Sequence, residues 1–393
     1  MEKLRVKLLA FATADDVVYT RGKKRFLKVL NKDQVEFVDE RPDLLIFLTG
    51  GSERAAVSLV EENRFYLMLA SQDDNSYAAA TEVKAWCNQN HIHTHLADLD
   101  QPDVASLVDD FYHVKNGLLR LKGKRLGQIG NVSDWLVAST ISPFTLSTRL
   151  GIELVKLDWP ELHSRNELSA PSYFAEAFAI SGKKVANAKI DEAGKVYEQL
   201  ARAITKHNLQ AITVECFPLV TECKVSACLA LSKFNSDLLT AGCEGDLCSA
   251  AGMMLARELC DVVPWMANTV GVNNKLGLFA HCAVPLNLVK DVALDTHFET
   301  NEGLAVQGHL NAKEVTIFRL ENTLNRIFIT RAVVKRIPKI KSACRTQVEV
   351  ALSDSAINYF RNDPFGNHHL LIPGNHVQRL KLAASALKMI VVE

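Results

Sequence analysis

The chain has 393 residues, more than one compact core usually holds, so two or three domains are expected. Hydrophobic residues make up 48% and charged residues 23%, as in an ordinary globular protein. Lysine plus arginine and aspartate plus glutamate both number 45, so the formal net charge is zero. This balance argues against nucleic acid or an anionic membrane as a partner.

The cysteines and the N-terminus indicate the compartment. Nine cysteines, an odd number without a small repeated spacing, argue against a disulfide framework and for a reducing environment. The N-terminal apolar run from Leu8 to Ala12 is too short for a signal-peptide core. No stretch reaches the roughly 18 apolar residues that a membrane span needs. We therefore expect a cytoplasmic protein whose cysteines serve as small buried residues rather than as zinc ligands.

Short apolar runs alternate with helical patterns through the first part of the chain. This alternation predicts a parallel sheet with helices on both faces. A polar break at Lys122–Arg125 ends the unit, so residues 1–121 are assigned to an N-terminal α/β domain. The predicted strands are Val6–Phe11, Leu44–Leu48, Phe65–Ala70 and His93–Leu96, and the predicted helices are Ser76–Asn88 and Val104–Leu119.

A second alternating unit follows and is assigned to residues 122–262, with Glu244 near its end. Its last strand, Leu209–Cys216, carries Glu215 at its end. The other predicted elements are the strands Leu126–Ile129 and Gly151–Leu157 and the helices Tyr173–Ile180, Asp191–His207, Ser226–Lys233 and Leu247–Cys260.

The pattern changes after residue 262, where strand-like runs are separated by polar turns. Such runs predict an antiparallel sheet or barrel, assigned to residues 263–393 and carrying His368. The fold class is therefore α/β, with two Rossmann-like units containing parallel sheets followed by a mainly antiparallel β domain. The predicted elements are the strands Leu304–Leu310, Glu314–Leu320, Arg326–Val333, Arg345–Leu352, His369–Ile372 and Met389–Val392, with helices at Ser355–Arg361 and from Val377.

The densest polar cluster is Ala241–Asp246, directly before an apolar helix. Glu244 lies between two glycines at a strand-to-helix junction, where a carboxylate can face a cleft. Asp246 occupies the position of a helix N-cap, and capping alone explains it equally well. Two carboxylates two residues apart also suit a hard divalent cation or acid/base chemistry.

Histidines and a second set of carboxylates supply further candidates. Asn367 and His368 precede an apolar strand, and a neutral imidazole is a common metal ligand. For each of these residues the alternative is a structural role, in which its hydrogen bonds are satisfied by other groups inside the fold. The chain contains no GxGxxG, Walker A or GxSxG pattern, which argues against a nicotinamide dehydrogenase, a P-loop NTPase or a serine hydrolase. The remaining candidates are Glu215, Lys224, His281, His297 and Glu299.

At these residues the sequence resembles the L-fucose isomerase/L-arabinose isomerase superfamily, most closely over residues 210–393. In L-fucose isomerases a Glu-x-Asp opens a helix, and its glutamate is both metal ligand and catalytic group; Glu244-Gly245-Asp246 matches it. The family's histidine ligand follows an asparagine near the C-terminus, as His368 follows Asn367. The family's second acidic ligand corresponds to Asn268, 24 residues after Glu244.

The resemblance implies a metal-dependent aldose–ketose isomerase that acts through an ene-diol on an open-chain sugar. Glu244 and Asp246 would be the catalytic residues, and Glu244, Asn268 and His368 would bind Mn²⁺ or another divalent cation such as Mg²⁺. A sugar is the expected ligand, and a homo-oligomer, a trimer or hexamer, is the expected assembly, with the Asn75–Ser76 loop serving a neighbouring subunit. The expected substrate-binding residues are Glu215, Lys224, His281, His297, Glu299 and Asn367.

Asn268 is the departure from the family pattern. Its amide oxygen can coordinate a cation, but an amide cannot exchange a proton near neutral pH. Either another residue, such as Asp246, His281 or Glu299, takes over that proton, or the reaction differs. Two alternatives therefore remain open. One is an isomerase of a phosphorylated or sulfonated sugar, and the other is a sugar-binding or regulatory protein that has lost catalysis. The candidate anion-binding residues are Lys224, Arg319 and Arg345.

Overall fold

The computed structural model describes residues 1–178 and 187–393. They form two compact units. The first consists of Met1–Gly117 and Gln378–Met389, and the second of Leu118–Val377 and Ile390–Glu393. The predicted division into three domains stays a prediction.

The first unit contains a five-stranded parallel sheet with the strand order β2-β1-β3-β4-β5. Every residue of β3 is buried, as is expected of a strand covered on both faces. The elements are β1 (Leu4–Leu9), α1 (Asp16–Phe26), β2 (Val35–Phe37), β3 (Leu44–Phe47), α2 (Glu53–Val57), β4 (Phe65–Ala70), α3 (Ser76–Gln89), β5 (His93–Asp98) and α4 (Val104–Leu121).

The second unit begins with a four-stranded parallel sheet in the order β7-β6-β8-β9. The two parallel sheets confirm this part of the predicted fold class. The elements are β6 (Arg125–Ile129), α5 (Pro143–Leu150), β7 (Glu153–Leu157), α6 (Ser172–Phe178), α7 (Asn187–Lys206), β8 (Ala211–Val214), α8 (Phe217–Cys223), α9 (Cys228–Ser236), β9 (Thr240–Cys243) and α10 (Leu247–Cys260).

The remaining elements are β10 (Trp265–Asn273), β11 (Leu276–His281), β12 (Val289–Asp295), β13 (Ala305–Leu310), β14 (Glu314–Leu320), β15 (Arg326–Arg336), β16 (Thr346–Ala351), α11 (Asp354–Asn362), β17 (His368–Pro373), α12 (Val377–Ala386) and β18 (Ile390–Val392). The seven-stranded sheet runs β14-β17-β10-β11-β16-β15-β18, and β14 also pairs with β15. These pairings close the first six strands into an antiparallel barrel, while β18 lies parallel to β15. The predicted antiparallel C-terminal sheet is therefore confirmed.

Helix α10 is the element that joins the parallel sheet of the second unit to the barrel. It contacts β8 and β9 on one side and β14 and β17 on the other, and nearly all of its residues are buried. Gly252 allows the close approach, because a Cβ there would lie 2.6 Å from the Leu370 Cδ1 atom. The N-terminus of α10 is thus held where the end of β9 meets the start of β17.

Several predicted element boundaries were wrong. Strand β1 begins and ends two residues earlier than predicted, and the predicted strand Leu209–Cys216 stops at Val214, because Cys216 already leads into α8. The predicted helix Tyr173–Ile180 corresponds to α6, which is described from Ser172 to Phe178; its last two predicted residues lie outside the described residues. Helix α1 was missed because its sequence is mostly polar; the Asp15 side chain caps its first turn.

The predicted role of the cysteines agrees with the structure. All nine are free thiols, and six of them are buried. Cys216 and Cys243, at the ends of neighbouring strands, place their Sγ atoms 3.3 Å apart. Among the helices of residues 1–178 and 187–393, none is both long and apolar enough to cross a membrane.

The packing between β15 and α11 gives a test of the core of the second unit. The buried Phe328 ring stacks on Tyr359 with ring centroids 3.6 Å apart and meets the edge of Phe360 at 5.3 Å. We predict that Phe328→Ala lowers the free energy of unfolding by about 3–5 kcal/mol, because it leaves a cavity in the core. Urea denaturation followed by circular dichroism measures this change. Phe144→Ala, at a position that is 77% exposed, is the control and should change the stability little.

Candidate metal centre

Glu244 projects from a tight turn between β9 and α10. The backbone φ angles of Glu244 and Gly245 are +58° and +68°, in the left-handed region. Gly245 is required there, since a Cβ would lie 2.2 Å from the Asn131 carbonyl oxygen. Glu244 itself lacks this freedom, and a non-glycine residue in this conformation is uncommon. The turn therefore holds the Glu244 carboxylate at the end of the strand.

Asp246 follows that turn and is completely buried at the N-cap of α10. Its Oδ1 atom accepts a hydrogen bond from the Ser249 backbone N–H at 2.7 Å, as a capping residue does. Its Oδ2 atom is shared by the Ser249 hydroxyl at 2.9 Å, the Arg319 guanidinium at 3.3 Å and the His368 Nδ1 atom at 3.0 Å. One buried carboxylate thus connects α10, β14 and β17.

The ionisation state of Asp246 follows from these partners. Burial alone would raise the pKa of its carboxyl, but the positive charge of Arg319 and the hydrogen bond from His368 outweigh burial and lower this pKa. Asp246 is therefore a carboxylate at neutral pH. Because a carboxylate can only accept hydrogen bonds, the proton in its contact with His368 lies on Nδ1.

In the neutral imidazole, a proton on Nδ1 leaves the lone pair of His368 on Nε2. Nε2 is buried, and no hydrogen-bond partner for it exists among the described residues. Metal-binding histidines usually donate their other ring N–H to a carboxylate, which fixes the tautomer and raises the basicity of the ligand atom. A buried imidazole nitrogen with a free lone pair and no protein donor is suited to a cation.

Two further groups face this nitrogen. The Glu244 Oε1 atom lies 3.8 Å from His368 Nε2, too far for a hydrogen bond. Ligand atoms of Glu244, His281 and His368 all lie within 4.8 Å of one another. Two atoms that share an ion at about 2.1 Å each can be up to about 4.2 Å apart, so small adjustments bring the three to bonding distance. The residues present therefore fit a divalent cation.

His281, the last residue of β11, is buried beside His368, with ring centroids 5.6 Å apart. Burial, and then the neighbouring His368, lower the pKa of His281 to about 4. The ring is therefore neutral at pH 7, which is the form of histidine that binds metals. The Ala283 backbone N–H donates to its Nδ1 atom at 3.2 Å. In the neutral ring this contact places the proton on Nε2, so Nε2 can bind a cation only after that proton moves to Nδ1 and the contact with Ala283 is given up.

Asn268 and Asn367 lie next to this cluster. Asn268 of β10 is the register partner of His368 on one side and of Ala280 on the other. Its amide oxygen accepts a hydrogen bond from the Asn367 amide at 2.6 Å, and its amide N–H₂ faces the Cys344 thiol at 3.8 Å. The structure thus brings Asn268 close to His368, with its oxygen engaged by a protein donor.

His297 and Glu299 are electrostatically coupled to the cluster. The pKa of Glu299 is raised, mainly by loss of hydration and in part by the negative charge of Glu244, although His297 opposes the rise. His297 is buried, and its Nδ1 atom lies 3.1 Å from the Thr300 hydroxyl. Both predicted residues therefore lie within electrostatic range of the cluster.

Glu215 and Lys224 occupy the two ends of the segment after β8. Glu215 directly follows this strand, and its carboxylate accepts the Asn131 backbone N–H at 2.7 Å. Lys224 ends α8 with an exposed side chain and a φ angle of +57°. None of the described contacts joins Lys224 to Glu244, His281 or His368.

Arg319 had been considered as an anion-binding residue, and the structure corrects this interpretation. Its guanidinium is 1% exposed. It donates to Asp246, to the Ser139 hydroxyl at 2.8 Å and to the His368 carbonyl oxygen at 2.5 Å. A cation enclosed in this way stabilises the buried carboxylate and is closed to a substrate.

Trp135 was not predicted from the sequence at all. Its indole Nε1–H donates to the Glu244 Oε2 atom at 2.6 Å, although it stands 109 positions earlier in the chain. The only local signal is its place shortly after the strand end at Gly130-Asn131, where ligand-binding loops of parallel sheets lie.

Two curated proteins are similar to this chain. No protein-family model matches the chain. The chain is 24% identical over 311 residues to the sulfoquinovose isomerases of Priestia aryabhattai and Priestia megaterium, which covers 74% of this chain and 70% of each relative. The chain is thus similar, over most of its length, to enzymes that are isomerases by name.

The depressed pKa of His281 predicts a pH dependence of stability. The folded imidazole takes up a proton only near pH 4, whereas the unfolded one does so near 6.5. The unfolded state therefore binds more protons between these values, and stability falls as the pH falls through this window, by up to about 3 kcal/mol. Above pH 6.5 this stabilisation is complete.

Urea unfolding of the metal-free protein between pH 4 and 7, in the presence of a chelator, measures this effect. We expect His281→Asn to flatten the pH profile of the unfolding free energy. His91→Asn, at an exposed histidine, is the control and should leave the profile as it is. An unchanged slope in folded His281→Asn would show that His281 is not the group responsible.

Proposed function

We propose that the protein is a divalent-metal-dependent aldose–ketose isomerase of the L-fucose isomerase type, acting on a sulfonated sugar. The observation that carries this proposal is the buried His368 Nε2 lone pair, which Asp246 orients toward Glu244 and His281. The similarity to two sulfoquinovose isomerases supports the reaction class and the charge of the substrate.

In this proposal Glu244, His281 and His368 hold the cation, as their mutual distances allow. We propose Mn²⁺ because of the resemblance to the L-fucose isomerases; one carboxylate and two imidazoles also suit Fe²⁺ or Zn²⁺, and they suit Mg²⁺ less well. When bound, the cation supplies Lewis-acid polarisation of the sugar carbonyl. Asn268 lies beside this group; its amide oxygen accepts from the Asn367 amide and has a second lone pair with which it can join the shell.

Glu244 is the proposed general base. The reaction moves a proton between C2 and C1 of an open-chain sugar, so one carboxylate that reaches both carbons can accept it and return it. Asn268 cannot share in this transfer because an amide neither gains nor loses a proton near pH 7. Both carboxylate oxygens of Asp246 already accept hydrogen bonds from protein groups. We therefore propose that Asp246 orients His368 and takes no part in proton transfer.

The proposed charge of the substrate limits the choice of anion-binding residues. Arg319 is excluded by its burial, which leaves Lys224 and Arg345 of the earlier candidates. Arg345 donates from Nε to the Thr296 carbonyl oxygen at 2.8 Å and lies next to Cys344, the neighbour of Asn268. The segment after β12 that contains Thr296 also carries His297 and Glu299. We propose these two residues, together with Glu215 and Asn367, as contacts to the sugar hydroxyls. A homo-oligomer in the cytoplasm remains our expectation.

One observation favours a second candidate, a sugar-binding protein without catalysis. The Asn268 amide is locked by Asn367, where an aspartate in the related family would act. Calorimetry distinguishes the two, since a binding protein would bind the sulfonated sugar tightly in the presence of Mn²⁺ without converting it to the ketose.

A pair of variants tests the isomerase. We predict that the Mn²⁺-loaded protein interconverts a 6-sulfonated aldose and its ketose, detected by proton NMR, and turns over neutral aldoses at least about tenfold more slowly. Glu244→Gln should lower kcat by about 100-fold or more, because the amide removes the base.

Glu153→Gln is the matched control, since it makes the same change at a carboxylate whose side chain is 60% exposed, on the strand at the edge of the parallel sheet. It should keep full activity. Unchanged turnover in Glu244→Gln would overturn the proposed role of Glu244.

A further inference from the structure

The segment Asn131–Ser139, here the 131–139 loop, is fixed to the turn that carries Glu244. The Ser133 N–H donates to the Glu244 carbonyl oxygen at 3.0 Å. At its other end, the Ser139 carbonyl oxygen accepts from the N–H groups of Leu247 and Cys248 at 3.0 and 3.3 Å. These are two of the N–H groups that the first turn of α10 leaves without an intrahelical partner. The loop therefore replaces solvent as the hydrogen-bond acceptor for this helix end.

Steric contacts hold the same loop from a second direction. The missing side chain of Gly245 leaves the space into which the Asn131 carbonyl and the Val132 backbone fit. The Ser139 hydroxyl accepts from the buried Arg319, the residue that holds Asp246. The loop is thus part of the same hydrogen-bond network as the candidate metal ligands and is not a freely moving surface segment.

Trp135 lies in the middle of this anchored loop. Its indole N–H donates to Glu244 Oε2 at 2.6 Å, a short distance typical of hydrogen bonds to a charged acceptor. The contact engages one carboxylate oxygen and leaves Oε1 as the atom nearest His368 Nε2. Without this donor, the carboxylate can rotate about its last torsion, which has a broad energy minimum.

The ring of Trp135 is also packed, although 53% of the residue is exposed. It meets Phe217 edge-on, with centroids 4.6 Å apart, and Phe217 in turn meets His297 at 5.7 Å. The aromatic ring is thus held on one edge and open to solvent on the other. Its polar N–H, in contrast, is fully used by the candidate base.

We propose that Trp135 is a positioning residue for Glu244: its indole N–H fixes one carboxylate oxygen so that the other faces the cation and the substrate. This inference rests on the proposed function, because it assigns Glu244 the role given there. Removing such a partner of a metal ligand typically costs 10- to 100-fold in metal affinity or activity.

Trp135→Phe separates the hydrogen bond from the packing, since the phenyl ring can still meet Phe217. We expect Mn²⁺ affinity, measured by electron paramagnetic resonance of free Mn²⁺, to fall about 10-fold or more. The value of kcat on the sulfonated aldose should fall by a similar factor with KM nearly unchanged, since the lost contact orients the base rather than the sugar. The midpoint of thermal unfolding should stay close to that of the wild type.

Trp86→Phe is the control for loss of an indole, because Trp86 packs against the core of the first unit. It should keep both Mn²⁺ affinity and kcat. A Trp135→Phe protein with wild-type Mn²⁺ affinity and wild-type kcat would overturn the positioning role while leaving the isomerase proposal intact. A wild-type protein that binds Mn²⁺ but forms no ketose would overturn the isomerase, and the change in affinity would still decide the role of Trp135.

Discussion

The candidate site depends on one buried ion pair, between Asp246 and Arg319. Burying a lone carboxylate is costly, and a guanidinium with several further hydrogen bonds compensates for part of that cost. Because the pair keeps Asp246 ionised, the proton in its contact with His368 lies on the Nδ1 atom of the histidine. The free lone pair on Nε2, and with it the ability to bind a cation, follows from the charge state of a residue that does not itself face the site.

The pair also explains why the site lies where two sheets meet. Asp246 caps α10, Arg319 comes from β14 and His368 opens β17, so the contact needs the parallel sheet, the barrel and the helix between them at once. Neither sheet supplies all the groups, since Glu244 follows a parallel strand whereas His281 ends a barrel strand. His281 and His368 lie in strands and Glu244 lies in the tight turn between β9 and α10, so each candidate ligand is placed by an ordered part of the backbone.

Much of this arrangement could be predicted from the sequence, for reasons that differ between residues. The parallel sheets follow from apolar runs such as Leu44–Phe47, and Glu244 was found because glycines flank it at a strand-to-helix junction. His368 was chosen over His369 by resemblance alone. The structure shows the physical difference: His369 contacts the Tyr359 hydroxyl and the Thr269 hydroxyl, each at 3.0 Å, and is satisfied within the core.

Other features could not be predicted, because they depend on contacts between distant segments. Nothing near Trp135 indicates that its indole meets Glu244, 109 residues later. From the sequence, Arg319 was expected to be exposed to solvent, as most charged residues are; only the structure shows the neighbours that bury it. His281 was predicted to contact the substrate, and its distance to Glu244 and His368 is what adds it to the candidate ligands.

The most direct test of this account is the Mn²⁺ affinity of Asp246→Asn, compared with that of the wild type by calorimetric titration. An amide at this position loses the charge that keeps the His368 proton on Nδ1, so we predict a 10- to 100-fold weaker affinity in a protein that is still folded. Asp237→Asn, at an exposed carboxylate that pairs with Lys233, is the matched control and should bind Mn²⁺ as the wild type does. Wild-type affinity in folded Asp246→Asn would contradict the account.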